Sequence, residues 1–280
     1  MRRPRPAALR RARLKSNSTS GGEFCLYSAA GGGTARRRGP REIADLTREP
    51  GLLSSITRAL HKSARKRQPP GTGSALPLWL LRSLEVGHMA YTYKGIPMAK
   101  DPFDLALYPI LLWREKPATI IEIGSLKGGS ALWLADLMRG FDAPCRIHSV
   151  DLNKVAGVKA KGVTFHKGDA NDLGKVFSAK FMRSLKRPLL VIEDSSHHAD
   201  TCLAVLRFFD AWLKPGEYIV IEDGIIGDMG DAERYGGGPV PAIHRFLAES
   251  HGRYEIDRKY CDWFGRNVTW NTDGYIRRRG

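Results

Sequence analysis

Two apolar runs that each end in an acidic pair constrain the fold of this chain most strongly. They read LLVIED, which ends at Asp194, and YIVIED, which ends at Glu222 and Asp223. Short runs that are apolar throughout are typical of parallel strands buried on both faces. Parallel strands end at one edge of a sheet, where open α/β sheets bind ligands, so we expect these three carboxylates to cluster there. Clustered carboxylates stay ionised only beside a positive charge, and a hard divalent cation with oxygen ligands fits that position.

Strand and helix patterns alternate from residue 117 to the end of the chain. The predicted strands cover residues 119–123, 146–150, 163–166, 189–192, 218–221, 254–256 and 267–276. The predicted helices cover residues 128–139, 171–185, 199–213 and 239–250. This alternation predicts an α/β fold with a doubly wound, mostly parallel sheet.

The positive charge of the chain is concentrated at its beginning. The formal net charge is +16, but residues 1–74 hold 17 Lys and Arg and 4 Asp and Glu, which leaves 28 and 25 for the rest. Residues 1–75 are therefore interpreted as a basic, largely disordered leader with a short helix within 41–67, and residues 76–280 as the packed domain. A transit peptide, a translation start placed too early and a nucleic-acid arm all remain open for the leader.

Cysteine usage and hydropathy bear on the location of the protein. Four cysteines stand without a CxxC pair or a zinc-type spacing, which favours reduced thiols in a cytoplasmic protein. No apolar stretch approaches the length of roughly 18–20 residues that a membrane-spanning helix needs. We therefore expect no transmembrane segment.

The turn after the first predicted strand favours S-adenosylmethionine over a dinucleotide. It reads IIEIGSLKGGS and departs from the G-x-G-x-x-G pattern, and Asp151 lies too far along the chain for a nicotinamide enzyme. Acidic positions at successive strand ends suit the ammonium, ribose and adenine of S-adenosylmethionine, although a glycine turn alone also serves simple chain reversal. The predicted cofactor set is Glu122, Gly124, Ser125, Gly128, Gly129, Ser130, Asp151, Asp169 and Ala170.

Several motifs together resemble one known family. They are Lys100-x-Pro102-x-Asp104, the EIG-x-x-x-GGS turn, Asp194-x-x-His197, the pair at 222–223 and the C-terminal GYIRR. Over roughly residues 85–278 the chain resembles the cephalosporin hydroxylase-type family, which is similar to class I S-adenosylmethionine-dependent O-methyltransferases of rhamnosyl and macrolide sugars. The resemblance implies a Rossmann-like class I methyltransferase fold with a seven-stranded sheet.

The same resemblance implies a magnesium site and a catalytic base. The metal ligands would be Asp194, Glu222 and Asp223, although acidic strand ends also serve as helix caps. The base would be His197, because imidazole accepts a hydroxyl proton near neutral pH. His198 is the alternative base.

Two further parts of the chain are predicted to border the binding cleft. The glycine-rich residues 224–241 are interpreted as a lid over the substrate, with a plain loop as the alternative. Lys100 and Asp104 would help to close the cofactor pocket, and a surface position is the alternative for both.

The expected activity is Mg²⁺-dependent methyl transfer from S-adenosylmethionine to a hydroxyl of a sugar-containing or secondary-metabolite acceptor. The acceptor would be a small molecule or a glycolipid, a nucleic-acid partner is not expected, and a homo-oligomer remains open. Three alternatives remain: a metal-dependent hydroxylase, a nucleic-acid-binding or modifying protein that uses the basic leader, and a relative that only binds the cofactor.

Overall fold

The computed structural model describes residues 72–280. The predictions for the basic leader and its short helix therefore fall outside the described residues, apart from the last four positions of the leader.

The described residues form nine strands and eight α-helices. The strands are β1 Thr92–Tyr93, β2 Ile96–Pro97, β3 Thr119–Ile123, β4 Arg146–Asp151, β5 Val163–Lys167, β6 Leu189–Glu193, β7 Tyr218–Ile221, β8 Tyr254–Ile256 and β9 Tyr275–Arg278. The helices are α1 Leu78–Ala90, α2 Pro102–Glu115, α3 Gly129–Gly140, α4 Leu173–Val176, α5 Ala179–Ser184, α6 Ala199–Asp210, α7 Pro239–Glu249 and α8 Arg258–Cys261. Short 3₁₀ turns cover Ala170–Asp172, Gly224–Ile226 and Ala232–Tyr235.

Seven strands form one sheet in the order β5-β4-β3-β6-β7-β9-β8, and β1 and β2 form a separate hairpin. Strands β3 to β7 pair in parallel, whereas β9 pairs antiparallel with both β7 and β8. The chain runs outward from β3 through β4 to β5 and then returns to place β6 on the other side of β3. The carboxyl ends of β3 and β6 therefore form the topological switch point, where such sheets bind ligands.

Apolar clusters cover both faces of the sheet. One cluster includes Ile121, Val191 and Ile219, and the other includes the intervening residues Ile120, Leu190 and Val220. Successive side chains of a strand point to opposite faces, and helices cover both sides, so LLVIE and YIVI are buried at every position and apolar at all but Glu193. The predicted doubly wound α/β sheet is thus confirmed.

Two predicted elements have different bounds. The helix predicted over residues 171–185 is divided into the 3₁₀ turn, α4 and α5. Phe177 has non-helical φ and ψ, and the Ser178 side chain accepts a hydrogen bond from Phe181 N to begin α5. The strand predicted over residues 267–276 begins only at Tyr275. Asn267 and Asp273 have φ values of +48° and +56°, which strand geometry excludes.

Within residues 72–280, every helix is too short or too polar to span a lipid bilayer.

Candidate functional site

A cleft of about 400 Å³ opens at the switch point, beyond the carboxyl ends of β3, β4 and β6. Eight of the predicted site residues line it: Gly124, Ser130, Asp151, Asp169, Ala170, Asp194, His197 and Asp223. Six others lie outside its wall: Glu122, Ser125, Gly128, Gly129, His198 and Glu222. The structure therefore brings together most of the predicted cofactor positions and two of the three predicted metal ligands.

Gly124 allows the ends of β3 and β6 to meet. Its φ is +103°, and a Cβ atom at this position would lie 1.8 Å from the carbonyl oxygen of Asp194. Asp194 N in turn donates a hydrogen bond to Ile123 O at 2.7 Å. Only glycine fits this close approach of two backbones, which sets Asp194 at the floor of the cleft.

The remaining glycine and acidic positions of the first turn support the cleft from behind. A Cβ atom on Gly129 would lie 2.4 Å from Pro97 O, so this glycine lets α3 pack against the β1–β2 hairpin. Glu122 is buried, accepts a hydrogen bond from the Ser149 hydroxyl, and has its pKa raised by burial. Glu122 thus lies beneath the cleft wall.

Two carboxylates on the cleft wall are fixed by neighbouring backbone N–H groups. Asp151 accepts hydrogen bonds from Leu126 N at 3.0 Å and from Asn153 N at 2.8 Å. Asp169 accepts from Asn171 N at 2.8 Å. These bonds hold both acidic side chains in place before any ligand arrives, which lowers the entropic cost of binding.

The three carboxylates of the opening motif do cluster at the sheet edge, with a lysine between two of them. Lys100 Nζ donates to Asp194 Oδ2 at 2.6 Å and also contacts Glu222 Oε2. The other oxygen of Glu222 accepts from the Tyr108 hydroxyl. Asp223 Oδ2 lies 3.2 Å from His197 Nε2. Both oxygens of Glu222 are therefore engaged, whereas Asp194, His197 and Asp223 offer one ligand atom each within 4.8 Å of one another.

Burial and mutual repulsion shift the pKa values of this cluster. Burial raises the pKa of Asp194, and burial together with the charge of Asp194 raises the pKa of Glu222 well above its usual range. For Lys100, burial lowers the pKa, but the charges of Asp194 and Glu222 outweigh burial and raise the pKa well above its usual range. The ammonium is the positive charge that offsets the charge of these two carboxylates, one buried and one half-buried.

His197 lies beside Asp194 and Asp223 in the cleft. It lines the cleft on a backbone with φ of +60°, and Asp223 is similarly strained at +58°. Such strain in residues other than glycine is typical of functional sites. The Nδ1 atom of His197 is buried and has no hydrogen-bond partner among the described residues. Burial lowers the pKa of His197, but Asp223 and Asp194 outweigh burial and raise it.

His198 occupies a different position from His197. Its side chain is exposed, lies outside the cleft wall, and begins α6 as its N-cap residue. Of the two predicted bases, only His197 faces the carboxylates.

The segment 224–241 is only partly a loop. Residues Gly224–Ile226 are buried, and Arg82 donates to Met229 O at 2.8 Å, so the first half packs against the body of the protein. The second half brings Tyr235 to a ring-centroid distance of 6.1 Å from His197, followed by three glycines with positive φ. A lid role remains a prediction for this second half.

Sequence reasoning singled out Lys100 and Asp104 but missed two other side chains near the site. The surface alternative for Lys100 and Asp104 is wrong, because both are buried. Tyr108 and His88 were not singled out, yet Tyr108 binds Glu222 and His88 lines the cleft while it stacks on Trp270. The Lys100-x-Pro102-x-Asp104 motif was the available signal for the lysine. No local pattern identifies the other two.

The fold and cleft define a class I methyltransferase: a mostly parallel seven-stranded sheet with a ligand cleft at the ends of β3, β4 and β6. A model of the rhamnosyl O-methyltransferase/CmcI family matches residues 87–279, and the chain belongs to that family.

Individual relatives agree with this membership. Rhamnosyl O-methyltransferase of Mycobacterium leprae is 29% identical over 195 residues, which cover 67% of this chain and 83% of the relative. The enzyme of the same name from Mycobacterium tuberculosis is 29% identical over 182 residues, which cover 62% of this chain and 73% of the relative. A structure of CmcI with Mg and SAM has a TM-score of 0.55 at 26% identity and covers 84% of this chain and 100% of its own.

The predicted family, fold class and type of enzyme, an S-adenosylmethionine-dependent O-methyltransferase, are thereby confirmed. The two predicted cofactors are the ones that the CmcI structure contains.

Proposed function

We propose that this protein transfers a methyl group from S-adenosylmethionine to a hydroxyl group of a sugar-containing small molecule, with Mg²⁺ bound beside the acceptor. The observation that carries the proposal is the convergence of His197, Asp194 and Asp223 in the cleft that Asp151 and Asp169 also line. A base, a cation site and a cofactor wall within one cleft are what methyl transfer to a hydroxyl requires.

The cofactor wall fits S-adenosylmethionine. Asp151 is proposed to accept hydrogen bonds from the ribose hydroxyls, and Asp169 to lie near the adenine. Gly124, Ser130 and Ala170 also line the cleft, where the small size of these side chains leaves room for the cofactor. When bound, S-adenosylmethionine supplies an electrophilic methyl group on a sulfonium. The residues of this chain contribute its alignment with the acceptor.

Residues Glu122, Ser125, Gly128 and Gly129 are proposed to act from behind the wall. Glu122 and Ser125 both hydrogen bond with Ser149, and the two glycines begin α3 beneath the cleft. Their contribution to cofactor binding is thus to hold the turn in shape.

The carboxylate cluster fits a divalent cation. Asp194 and Asp223 present oxygen atoms to the cleft, and oxygen ligands are the ones that Mg²⁺ prefers. Glu222 is the third proposed ligand, once its oxygens are released from Lys100 and Tyr108. A bound Mg²⁺ would supply a positive charge that lowers the pKa of an acceptor hydroxyl beside these residues. His197, which lies in the same cleft, is proposed to accept the proton of an acceptor hydroxyl.

The acceptor class is inferred from the family. The mycobacterial relatives are rhamnosyl O-methyltransferases, so a rhamnose-bearing acceptor, either a small molecule or a glycolipid, is the first candidate. A cytoplasmic location and a homo-oligomer remain predictions.

Methyl transfer from isotope-labelled S-adenosylmethionine to a panel of sugar-containing acceptors, with and without Mg²⁺, tests the proposal. We expect labelled product only in the presence of Mg²⁺ and with an acceptor that carries a free sugar hydroxyl. Asp194→Asn should abolish transfer while calorimetry still detects binding of S-adenosylmethionine. Full turnover in the presence of a chelator would rule out the role of the metal.

The alternatives have separate tests. Iron oxygenases of the facial-triad type use two histidines and one carboxylate. The group of Asp194, His197 and Asp223 in the cleft holds one histidine and two carboxylates instead. Oxygen consumption with Fe(II) would restore that alternative. Removal of residues 1–71 should leave methyl transfer intact if the remaining residues contain the methyltransferase domain, because residues 72–75 hydrogen bond with Asp228, Arg266 and Asn267 and are kept. Loss of a nucleic-acid-dependent activity would favour the leader instead.

A further inference from the structure

Lys100 places a positive charge inside the carboxylate cluster. Its Nζ lies 2.6 Å from Asp194 Oδ2 and contacts Glu222 Oε2. The side chains of Lys100 and Glu222 are each 4% exposed, and that of Asp194 is 19% exposed. These two carboxylates are also two of the three proposed metal ligands. The ammonium therefore binds oxygens that a divalent cation would use.

The backbone holds this lysine in place from both sides. Before it, Met98 N donates to Tyr91 O at 3.1 Å, and Ala99 has a φ of +49°. After it, Asp101 begins α2 by accepting a hydrogen bond from Phe103 N at 2.8 Å. With the backbone fixed, the ammonium leaves the carboxylates only if its flexible four-carbon side chain changes rotamer.

The lysine and a divalent cation have the same effect on the carboxylates but exclude each other. Either one neutralises the negative charge of Asp194 and Glu222, which would otherwise be buried without compensation. Both together at the same oxygens would repel each other strongly, because their positive charges would lie only a few ångströms apart. The cluster therefore accommodates one of them at a time on Asp194 and Glu222.

We propose that Lys100 is an internal competitor of the divalent cation, which binds Asp194 and Glu222 in the protein without metal and leaves them when the metal binds. This inference rests on the proposed function, because it takes Asp194, Glu222 and Asp223 as metal ligands. It makes Lys100 a positioning residue that stabilises the cluster without metal and weakens the affinity for Mg²⁺.

Calorimetric titration of Mg²⁺ and Mn²⁺ into the wild-type protein and Lys100→Met tests the inference. The titration is done at about pH 8 so that carboxylates in contact with water are ionised. We expect Lys100→Met to bind either metal at least about tenfold more tightly, because the competing charge is gone. Without metal the variant should melt at a lower temperature than the wild type, and Mg²⁺ should raise its melting temperature more than that of the wild type.

Two control variants separate this effect from a general loss of charge or of hydrogen bonds. Lys94→Met removes an exposed lysine that pairs with Asp136, outside the cleft. Tyr108→Phe removes the other donor to Glu222 without a change in charge. Lys94→Met should bind Mg²⁺ with the wild-type affinity, and Tyr108→Phe should change the affinity by much less than Lys100→Met, because it frees an oxygen of Glu222 without removing a positive charge.

A measurement on the wild-type protein covers the case in which Lys100→Met does not fold. Acetylation of individual lysines is followed by mass spectrometry with and without Mg²⁺. Lys100 should react faster in the presence of Mg²⁺, whereas the exposed Lys94 and Lys175 should not change.

The outcomes separate the two proposals. If the wild type and Lys100→Met bind Mg²⁺ with equal affinity, or if acetylation of Lys100 does not respond to Mg²⁺, the inference about Lys100 is overturned and the metal site stands. If no protein binds either metal, the proposed metal function fails and the inference fails with it.

Discussion

Asp104→Ala should destabilise the protein by about 3–5 kcal/mol, although Asp104 lies outside the cleft wall. The carboxylate is 1% exposed and accepts hydrogen bonds from Thr269 Oγ1 at 2.5 Å, Tyr275 OH at 2.7 Å and Trp270 N at 2.9 Å. A buried donor left without an acceptor costs about 1–3 kcal/mol, so three donors would cost about 3–9 kcal/mol if the costs added fully. Relaxation, and relief of the repulsion that contributes to the raised pKa of Asp101, reduce the expected value to the lower half of that range.

Denaturation by guanidinium chloride, followed by tryptophan fluorescence, measures this loss. For a domain of this size the corresponding drop in melting temperature is about 10 °C. Asp104→Asn keeps one acceptor oxygen and should lose less, and Asp172→Ala at an exposed position should have no effect. A free energy of unfolding for Asp104→Ala within about 1 kcal/mol of the wild type would refute the reasoning, since ordinary surface substitutions already change stability by that much or less.

Substitution of Asp104 should also weaken metal binding at the proposed site. Thr269 Oγ1 accepts from Asn271 N at 3.0 Å, and Asn271 Oδ1 accepts from Asp223 N at 3.2 Å. Asp104 therefore holds, through two residues, the strained backbone of a proposed ligand. Asp104→Asn, which should still fold, is expected to bind Mg²⁺ more weakly than the wild type in a calorimeter.

Three further predictions concern the proposed base, the glycine turn after β3 and a histidine of β4. His197→Ala should lower kcat far more than it raises KM for the acceptor, whereas His198→Ala should change neither, and the reverse pattern in steady-state kinetics would identify the other base. Gly124→Ala should abolish binding of S-adenosylmethionine in calorimetry and destabilise the protein by more than about 3 kcal/mol, because its Cβ would overlap a backbone oxygen at a positive φ. Burial and the neighbouring His166 lower the pKa of His148 to about 4, below its ordinary value of 6.5. The stability that this shift contributes is complete above about pH 6.5 and is lost as the pH falls toward about 4. The loss is at most about 3 kcal/mol, and partial exposure of His148 reduces the expected loss to about 1–2 kcal/mol. His148→Gln should flatten the dependence of the unfolding free energy on pH over that range, and an unchanged slope would contradict the assignment.

The strands could be predicted from the sequence because their signal is local. The runs that became β3, β6 and β7 are buried at every position and mostly apolar, and an acidic residue or a glycine follows each of them. A strand that is buried on both faces of a parallel sheet requires such a composition. The composition therefore predicted both where the strands lie in the sequence and that they pair in parallel. The strand prediction for residues 267–276 was wrong because most of this segment forms a hydrogen-bonded loop around Asp104. Alternation of apolar and polar residues alone does not distinguish this loop from a strand.

The site was partly predictable for the same reason. Gly124, Asp151, Asp194 and Asp223 lie at or just beyond the ends of parallel strands, and the ends of parallel strands share one edge. That argument gives the edge of the sheet but not the direction of each side chain. Adjacent carboxylates at one strand end therefore separated: Glu222 turned into the interior, and Asp223 faced the cleft.

The sequence by itself determined the doubly wound sheet, the edge at which ligands bind and the types of side chain available there, because all three depend on local composition and chain order. Only the tertiary structure decided which of those side chains meet. Lys100 and Tyr108 reach Glu222 across 122 and 114 residues of sequence, and the contact depends on how α2 and the loop before it pack against β7. Such pairings arise from the geometry of packing, which no local pattern encodes, and here they determine the charge that the acidic cluster carries before a metal binds.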